Sequence, residues 1–155
     1  GKAAQTIYER FVNLIPKTSN LCPNEVLKLD KEEMRKAGLS FRKIDYVRNL
    51  ADYFENDYFQ KKDVARMTDQ EISFELTQIK GIGQWTVDMF LMFTLNRADI
   101  FPCTDLGIQK GIMKILKKKN LPSKKEMENC SSKWRPYRTI ACWYLWKMVD
   151  DNFAQ

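Results

Sequence analysis

Residues 80–83, Lys-Gly-Ile-Gly, constrain this chain more than any other stretch. They separate two apolar stripes of helical spacing: Ile72, Leu76 and Ile79 before them, and Val87, Phe90, Leu91 and Leu95 after them. A glycine inside a helix costs about 1 kcal/mol relative to alanine. Two glycines around one aliphatic residue therefore stop the first helix and suit a sharp turn. The second helix opens near Gln84, and the bare N–H groups there sit at the positive end of its macrodipole. Such a turn suits an anion, most simply a phosphate. A plain helix–helix connection closed by a C-cap glycine has the same local sequence. These residues alone leave both readings open.

The rest of the chain also reads as helix. Residues 2–15 place Ile7, Phe11, Leu14 and Ile15 on one face, and Pro16 closes the segment. The chain starts almost inside this helix with no visible N-cap, as a truncated or processed start would. Pro23 suits the first turn of a short helix. Asp30 and Glu33 have capping-box spacing for a helix ended by Gly38. Ser40 can cap the next helix, whose stripe is Ile44, Val47, Leu50, Ala51 and Phe54, with Arg42, Lys43 and Arg48 away from it. Residues 56–67 are polar and irregular, with at most one turn near Val64. Thr68 and Glu71 form a second capping box, opening the helix that leads into the glycine turn.

Beyond the turn, residues 96–105 form a loop with an extended piece before Pro102. Thr104 or Asp105 opens a helix through Ile108, Ile112, Ile115 and Leu116, ending in Lys117-Lys118-Lys119. Residues 120–133 are charged, with room for a short helix. Arg135-Pro136-Tyr137 opens the last long helix, which has Ile140, Trp143, Tyr144, Met148 and Val149 placed to pack. No segment alternates apolar and polar residues long enough for a strand. The fold class is all-α, about eight helices with short connections, in a single domain over residues 1–155.

Composition narrows the chemistry. Twenty-six Lys and Arg against 20 Asp and Glu give a net charge of +6, which favours a polyanionic partner and equally describes a solvated basic surface. There is no histidine, so a Ser-His-Asp triad, histidine general acid–base chemistry and a His-ligated zinc site are excluded within these residues. Cys22, Cys103, Cys130 and Cys142 form no C-x-x-C pair, which gives an iron–sulfur cluster no support. They read as reduced, mostly buried thiols of an intracellular protein. No apolar run reaches membrane-spanning length, and no secretory signal opens the chain.

Three ordered blocks carry a family resemblance. Leu-Thr-Gln-Ile-Lys-Gly-Ile-Gly-Gln-Trp-Thr (76–86), Asp-Ile-Phe-Pro-Cys-Thr-Asp-Leu-Gly-Ile-Gln-Lys-Gly (99–111) and Trp-Arg-Pro-Tyr-Arg-Thr (134–139) resemble the helix-hairpin-helix (HhH-GPD) DNA glycosylases, in their 3-methyladenine or alkylpurine branch. Residues 2–7 and 38–43 fit as well. The resemblance implies two helical lobes with a cleft between them, and release of alkylated purines of the 3-methyladenine and 7-methylguanine type in base excision repair. The partner it implies is double-stranded DNA containing damaged bases, met by a monomer with no membrane association. The compartment would be the nucleus in a eukaryote, otherwise the cytoplasm or nucleoid. A non-catalytic helix-hairpin-helix DNA-binding module is the alternative. Members of the branch carry further residues before the segment matching 2–4, so the N-terminal part of the family domain is expected to be missing, along with the side chain that wedges into DNA.

The resemblance also assigns roles. The catalytic carboxylate falls on Asp105, although an aspartate opening a helix is by itself an ordinary N-cap. Phosphate contacts fall on Gly81, Ile82, Gly83, Trp85 and Thr86, with Lys43 and Arg42 as lesser contacts or simply a solvated face. Trp85, Trp146 and Tyr137 fall at the base pocket. Trp143 and Tyr144 read as core from their helical spacing. No cofactor is required; main-chain carbonyls of Thr77, Ile79 and Ile82 could hold a monovalent cation, Na+ or K+. In the lyase branches a lysine stands where Trp85 stands here, so a Schiff base is not expected.

Overall fold

The computed structural model describes residues 2–56 and 64–150. Residues 57–63, most of the segment expected to be irregular, lie outside the described residues. The described residues form nine α-helices and one short 3-10 turn, with no strand. They fall into two compact units, Gly1–Gly83 and Gln84–Gln155.

In the first unit, α1 is Lys2–Val12, α2 Pro23–Lys28, α3 Lys31–Lys36, α4 Phe41–Glu55 and α5 Asp69–Thr77. Helix α1 ends earlier than residue 15 because the chain tightens. Leu14 N–H bonds to Phe11 O and Ile15 N–H to Val12 O, at 3.1 and 3.0 Å, a 3-10 finish just before Pro16. Asp30 accepts from the amides of Glu32 and Glu33, but Glu33 does not return a bond, so α3 has a simple cap rather than the expected box. Thr68 and Glu71 do form the full box on α5. Helix α4 lies against α2 and α3. The core gathers Phe11, Ile15, Val26, Met34, Ile44 and Ala51. Ile72, Leu76 and Ile79 are buried as their spacing implies.

In the second unit, α6 is Gln84–Phe93, α7 Leu106–Ile115, α8 Lys124–Ser131 and α9 Arg138–Val149; the 3-10 turn is Ser132–Trp134. Helix α8 has a full capping box from Ser123 and Glu126 that sequence reading passed over. Helix α9 starts at Arg138, three residues later than expected, and presents a different face. Thr139, Cys142 and Leu145 are buried, whereas Trp143 and Tyr144 are 47% and 68% exposed. The helix is apolar nearly all round, so no polar stripe sets its phase. Packing sets it instead: a Cβ at Gly111 of α7 would lie 2.9 Å from Leu145 Cβ and 3.1 Å from its carbonyl oxygen. The missing side chain lets the two helix backbones approach. Gly111→Ala is expected to lower stability by about 1–3 kcal/mol, the usual cost of overpacking, measured by urea denaturation.

Candidate active site

The site grows from the loop between α6 and α7. Thr139 N–H donates to Ala98 O at 2.9 Å, while the Thr139 hydroxyl donates to Arg97 O and accepts from Ile100 N–H. Arg138 grips Asp99 with two guanidinium nitrogens, and Arg135 adds a third bond at 2.8 Å. Arg138 also donates to the Asp99 carbonyl. The start of α9 thus clamps residues 97–100, side chain and main chain together. Gln109 then donates to Cys103 O at 2.9 Å, and Asp105 N–H to Pro102 O at 3.0 Å. The loop is fixed at both ends before it delivers Asp105.

The Asp99 carboxylate is held below its ordinary pKa chiefly by the hydrogen bond from Arg138, against an opposing effect of burial. A depressed carboxylate contributes stability above its unfolded pKa of about 3.9, and loses it as pH falls through the folded value. Asp99→Asn is therefore expected to cost about 1–3 kcal/mol at neutral pH. It should also flatten the fall in stability as pH drops from about 3.9 through the folded value. Denaturation curves of both chains across that range check both effects.

Asp105 is the N-cap of α7. Its Oδ1 accepts from Ile108 N–H at 2.8 Å. The same oxygen accepts from the Trp146 indole at 2.8 Å, and Oδ2 accepts from the Trp85 indole at 2.8 Å. The capping role read from sequence is thus observed, and the same carboxylate meets both indoles. Burial alone would raise its pKa. The amides of Ile108 and Gly107 and the two indoles outweigh burial, and the pKa falls below the ordinary value. Each donor favours the charged form, so the group stays ionised at neutral pH. It is half-buried, and Trp85 is 49% exposed. An anion fixed between two aromatic edges, still open to solvent on one side, can stabilise positive charge that develops beside it.

Gly107 and Phe93 complete this arrangement, and sequence reading missed both. A Cβ at Gly107 would lie 2.7 Å from Trp146 Cδ1 and 3.1 Å from Asp105 Oδ1. Only a bare Cα lets the indole reach the carboxylate. Gly107-x-x-x-Gly111 on α7 was the available signal, since glycines four apart in a helix mark a face meant for close approach. Phe93, 55% exposed at the end of the helix that Trp85 helps to open, stacks on Trp146 with ring centroids 6.0 Å apart and planes 26° from parallel. Tyr137 stands nine residues before Trp146, just outside the opposite end of α9, 61% exposed, and makes no hydrogen bond to Asp105. Among the cysteines only Cys142 is fully buried; the other three are half-buried. Burial pushes the Cys142 thiol up to about 12, so it is inert.

The glycine turn is formed as its sequence implies. Gly81 has φ +106, and Ile82 N–H closes onto Ile79 O at 2.9 Å. A Cβ at Gly81 would lie 2.2 Å from Tyr46 Cγ, so the turn is seated directly on the Tyr46 ring. The Asn49 amide donates to Lys80 O at 3.0 Å and fixes the approach to the turn. Gly83 differs: a Cβ there would meet nothing within 4 Å. Trp85 and Thr86 are exposed in the first turn of α6, Ile82 is half-buried, and Lys43 is exposed near the start of α4.

The chain belongs to the HhH-GPD superfamily of base excision DNA repair proteins, whose family model matches residues 1–136. It is 40% identical over 148 residues to DNA-3-methyladenine glycosylase 1 of Schizosaccharomyces pombe, covering 95% of this chain and 65% of the relative. It is 32% identical over 152 residues to the putative DNA-3-methyladenine glycosylase YfjP of Bacillus subtilis, covering 95% of this chain and 53% of that protein. The solved structure of the S. pombe 3-methyladenine DNA glycosylase Mag1, in complex with abasic DNA, superposes with a TM-score of 0.91 at 36% identity. That match covers 100% of this chain and 76% of the other. The chain thus spans between about half and two-thirds of the length of these two curated relatives.

Proposed function

We propose that this chain is a monofunctional DNA glycosylase that hydrolyses the N-glycosidic bond of alkylated purines, of the 3-methyladenine and 7-methylguanine type, in double-stranded DNA. The observation that carries the reading is the Asp105 carboxylate, kept ionised by two indole N–H groups and two backbone amides. An N-alkylated purine is cationic. When its glycosidic bond breaks, the electron pair leaves with the base and neutralises the ring. The positive charge passes to the sugar, beside the carboxylate. Water then adds through oxygen to the sugar carbon and gives up a proton. Similar charge development occurs in glycoside hydrolysis generally. No strong general acid is needed, in keeping with a chain that has no histidine.

The damaged base reaches such a carboxylate only by leaving the stack. The faces of Trp85 and Trp146 suit a cationic purine through cation–π attraction, while their N–H groups orient Asp105. Tyr137 would serve further out. Gly81, Ile82, Gly83, Trp85 and Thr86 suit a backbone phosphate, because a helix N-terminus favours an anion. Lys43, exposed near the start of α4, would add positive charge. A monovalent cation suits the carbonyls of Thr77, Ile79 and Ile82, which are neutral hard oxygens with no carboxylate among them. It would neutralise phosphate charge at the turn.

Release of 3-methyladenine and 7-methylguanine from methylated duplex DNA tests the reading, with borohydride added to trap any imine. Free base, an intact abasic strand and no trapped adduct are expected. A trapped adduct would assign a lyase; salt-dependent binding without release would assign the binding module.

A further inference from the structure

A cavity of about 540 Å3 opens in the first unit beside the glycine turn. Four cations from three elements line it: Lys31 of α3, Arg42 and Arg48 of α4, and Lys80 of the turn. The one carboxylate there is Asp45, paired with Lys31 at 3.0 Å. Arg48 is committed to the wall, donating to Leu27 O and Leu29 O at the end of α2. Among the described residues, the side chains of Arg42 and Lys80 have no partner. Two unpaired cations converging on one concavity repel each other, and an anion between them removes that repulsion. A solvated basic face needs no such convergence, nor a floor built to hold it. Here the floor is built: Tyr46 and Asn49, which line the cavity, are the residues that seat Gly81 and hold Lys80 O.

We propose that this cavity is a second phosphate site, in which Arg42 and Lys80 hold a phosphodiester neighbouring the one at residues 81–86 on the same DNA strand. The assignment rests on the DNA-binding reading above and deepens it. The ring of Tyr46 packs on Gly81 and its helix carries Arg42 one turn earlier, so the cavity and the glycine turn are held by the same helix. Arg42 offers a planar fork to phosphate oxygens, and Lys80 a point charge. Lys31 is neutralised by Asp45 and contributes little.

Duplex affinity of the full chain, measured by fluorescence anisotropy across a series of salt concentrations, tests the proposal. Each phosphate left without its protein cation should lower the steepness of log K against log salt by about 0.9. Arg42→Gln and Lys80→Gln should each flatten the slope by about that much and weaken binding several-fold. Lys125→Gln on α8 removes the same charge elsewhere and should leave the slope unchanged. Asp45→Asn should strengthen binding, because it frees Lys31. Equal slopes for the wild type, Arg42→Gln and Lys80→Gln would overturn the second site, while undiminished binding by all three would leave the DNA reading intact. Unchanged duplex binding combined with saturable inorganic phosphate binding that both variants lose would reassign the cavity to a free anion and overturn the proposal. Absence of duplex binding by the wild type would remove the DNA reading itself, and this site with it.

Discussion

Gly81→Ala is expected to lose about 2–5 kcal/mol of stability, adding a left-handed backbone penalty to an overpacking penalty. The backbone there has φ +106, a region that L side chains rarely adopt. The added methyl would also lie 2.2 Å from Tyr46 Cγ and 2.7 Å from Tyr46 Cβ. Those atoms are the root of the ring, so no small rotation clears them. Either the turn lifts off α4 or the Tyr46 side chain leaves its rotamer. Urea denaturation reads the loss directly, and duplex binding should fall with it. Gly83→Ala is the matching control. Its methyl would meet no protein atom within 4 Å, so stability should stay within about 0.5 kcal/mol, as for an unconstrained surface change. If a phosphate lies against that Cα, Gly83→Ala should still weaken duplex binding markedly. Equal stability of the wild type and Gly81→Ala would contradict the seating of the turn on Tyr46.

Much of this molecule was legible in its sequence wherever the deciding physics is local. Thr68 with Glu71 and Ser40 act through neighbours within four residues, and they, Gly38 and the Lys-Gly-Ile-Gly turn stand where their spacing put them. The helical stripe of α5 and the all-α class followed from period alone. Local spacing also gave Asp105 its capping role. Its clamp was not legible from spacing, because Trp85 and Trp146 lie 20 and 41 residues away. Family resemblance brought the three together; the direction of both indole N–H groups came only with the fold. The face of α9 was misread for a related reason. Ile140, Trp143, Tyr144 and Met148 are as apolar as the residues that are buried, so the choice fell to Gly111 and to the Thr139 bonds, neither of which carries a hydrophobic signal. Asp99 and Arg138 likewise look like ordinary surface charges until a loop folds one onto the other.

Asp105→Asn should separate the helix cap from the proposed catalytic role of this side chain. Asparagine caps helices about as well as aspartate, so its oxygen can keep the Ile108 amide. Its NH2 group cannot accept a bond from an indole, and its charge is gone. The expected stability change is therefore small, about 1 kcal/mol, the worth of one hydrogen bond. Duplex binding should persist, since the residues that suit phosphate lie elsewhere. Catalysis should fall by about 10²–10³-fold, the scale of losing one preorganised electrostatic stabiliser. Removing Gly107's open approach or either indole would act more weakly, because the charge would remain.

The measurement that bears most directly on the central claim is single-turnover release of 7-methylguanine by wild type and Asp105→Asn, at DNA concentrations that saturate both, with melting curves recorded alongside. The account predicts a folded, DNA-bound variant whose release is slower by at least about 10²-fold. Release within a few-fold of wild type from that folded variant would show that Asp105 is a helix cap and nothing more.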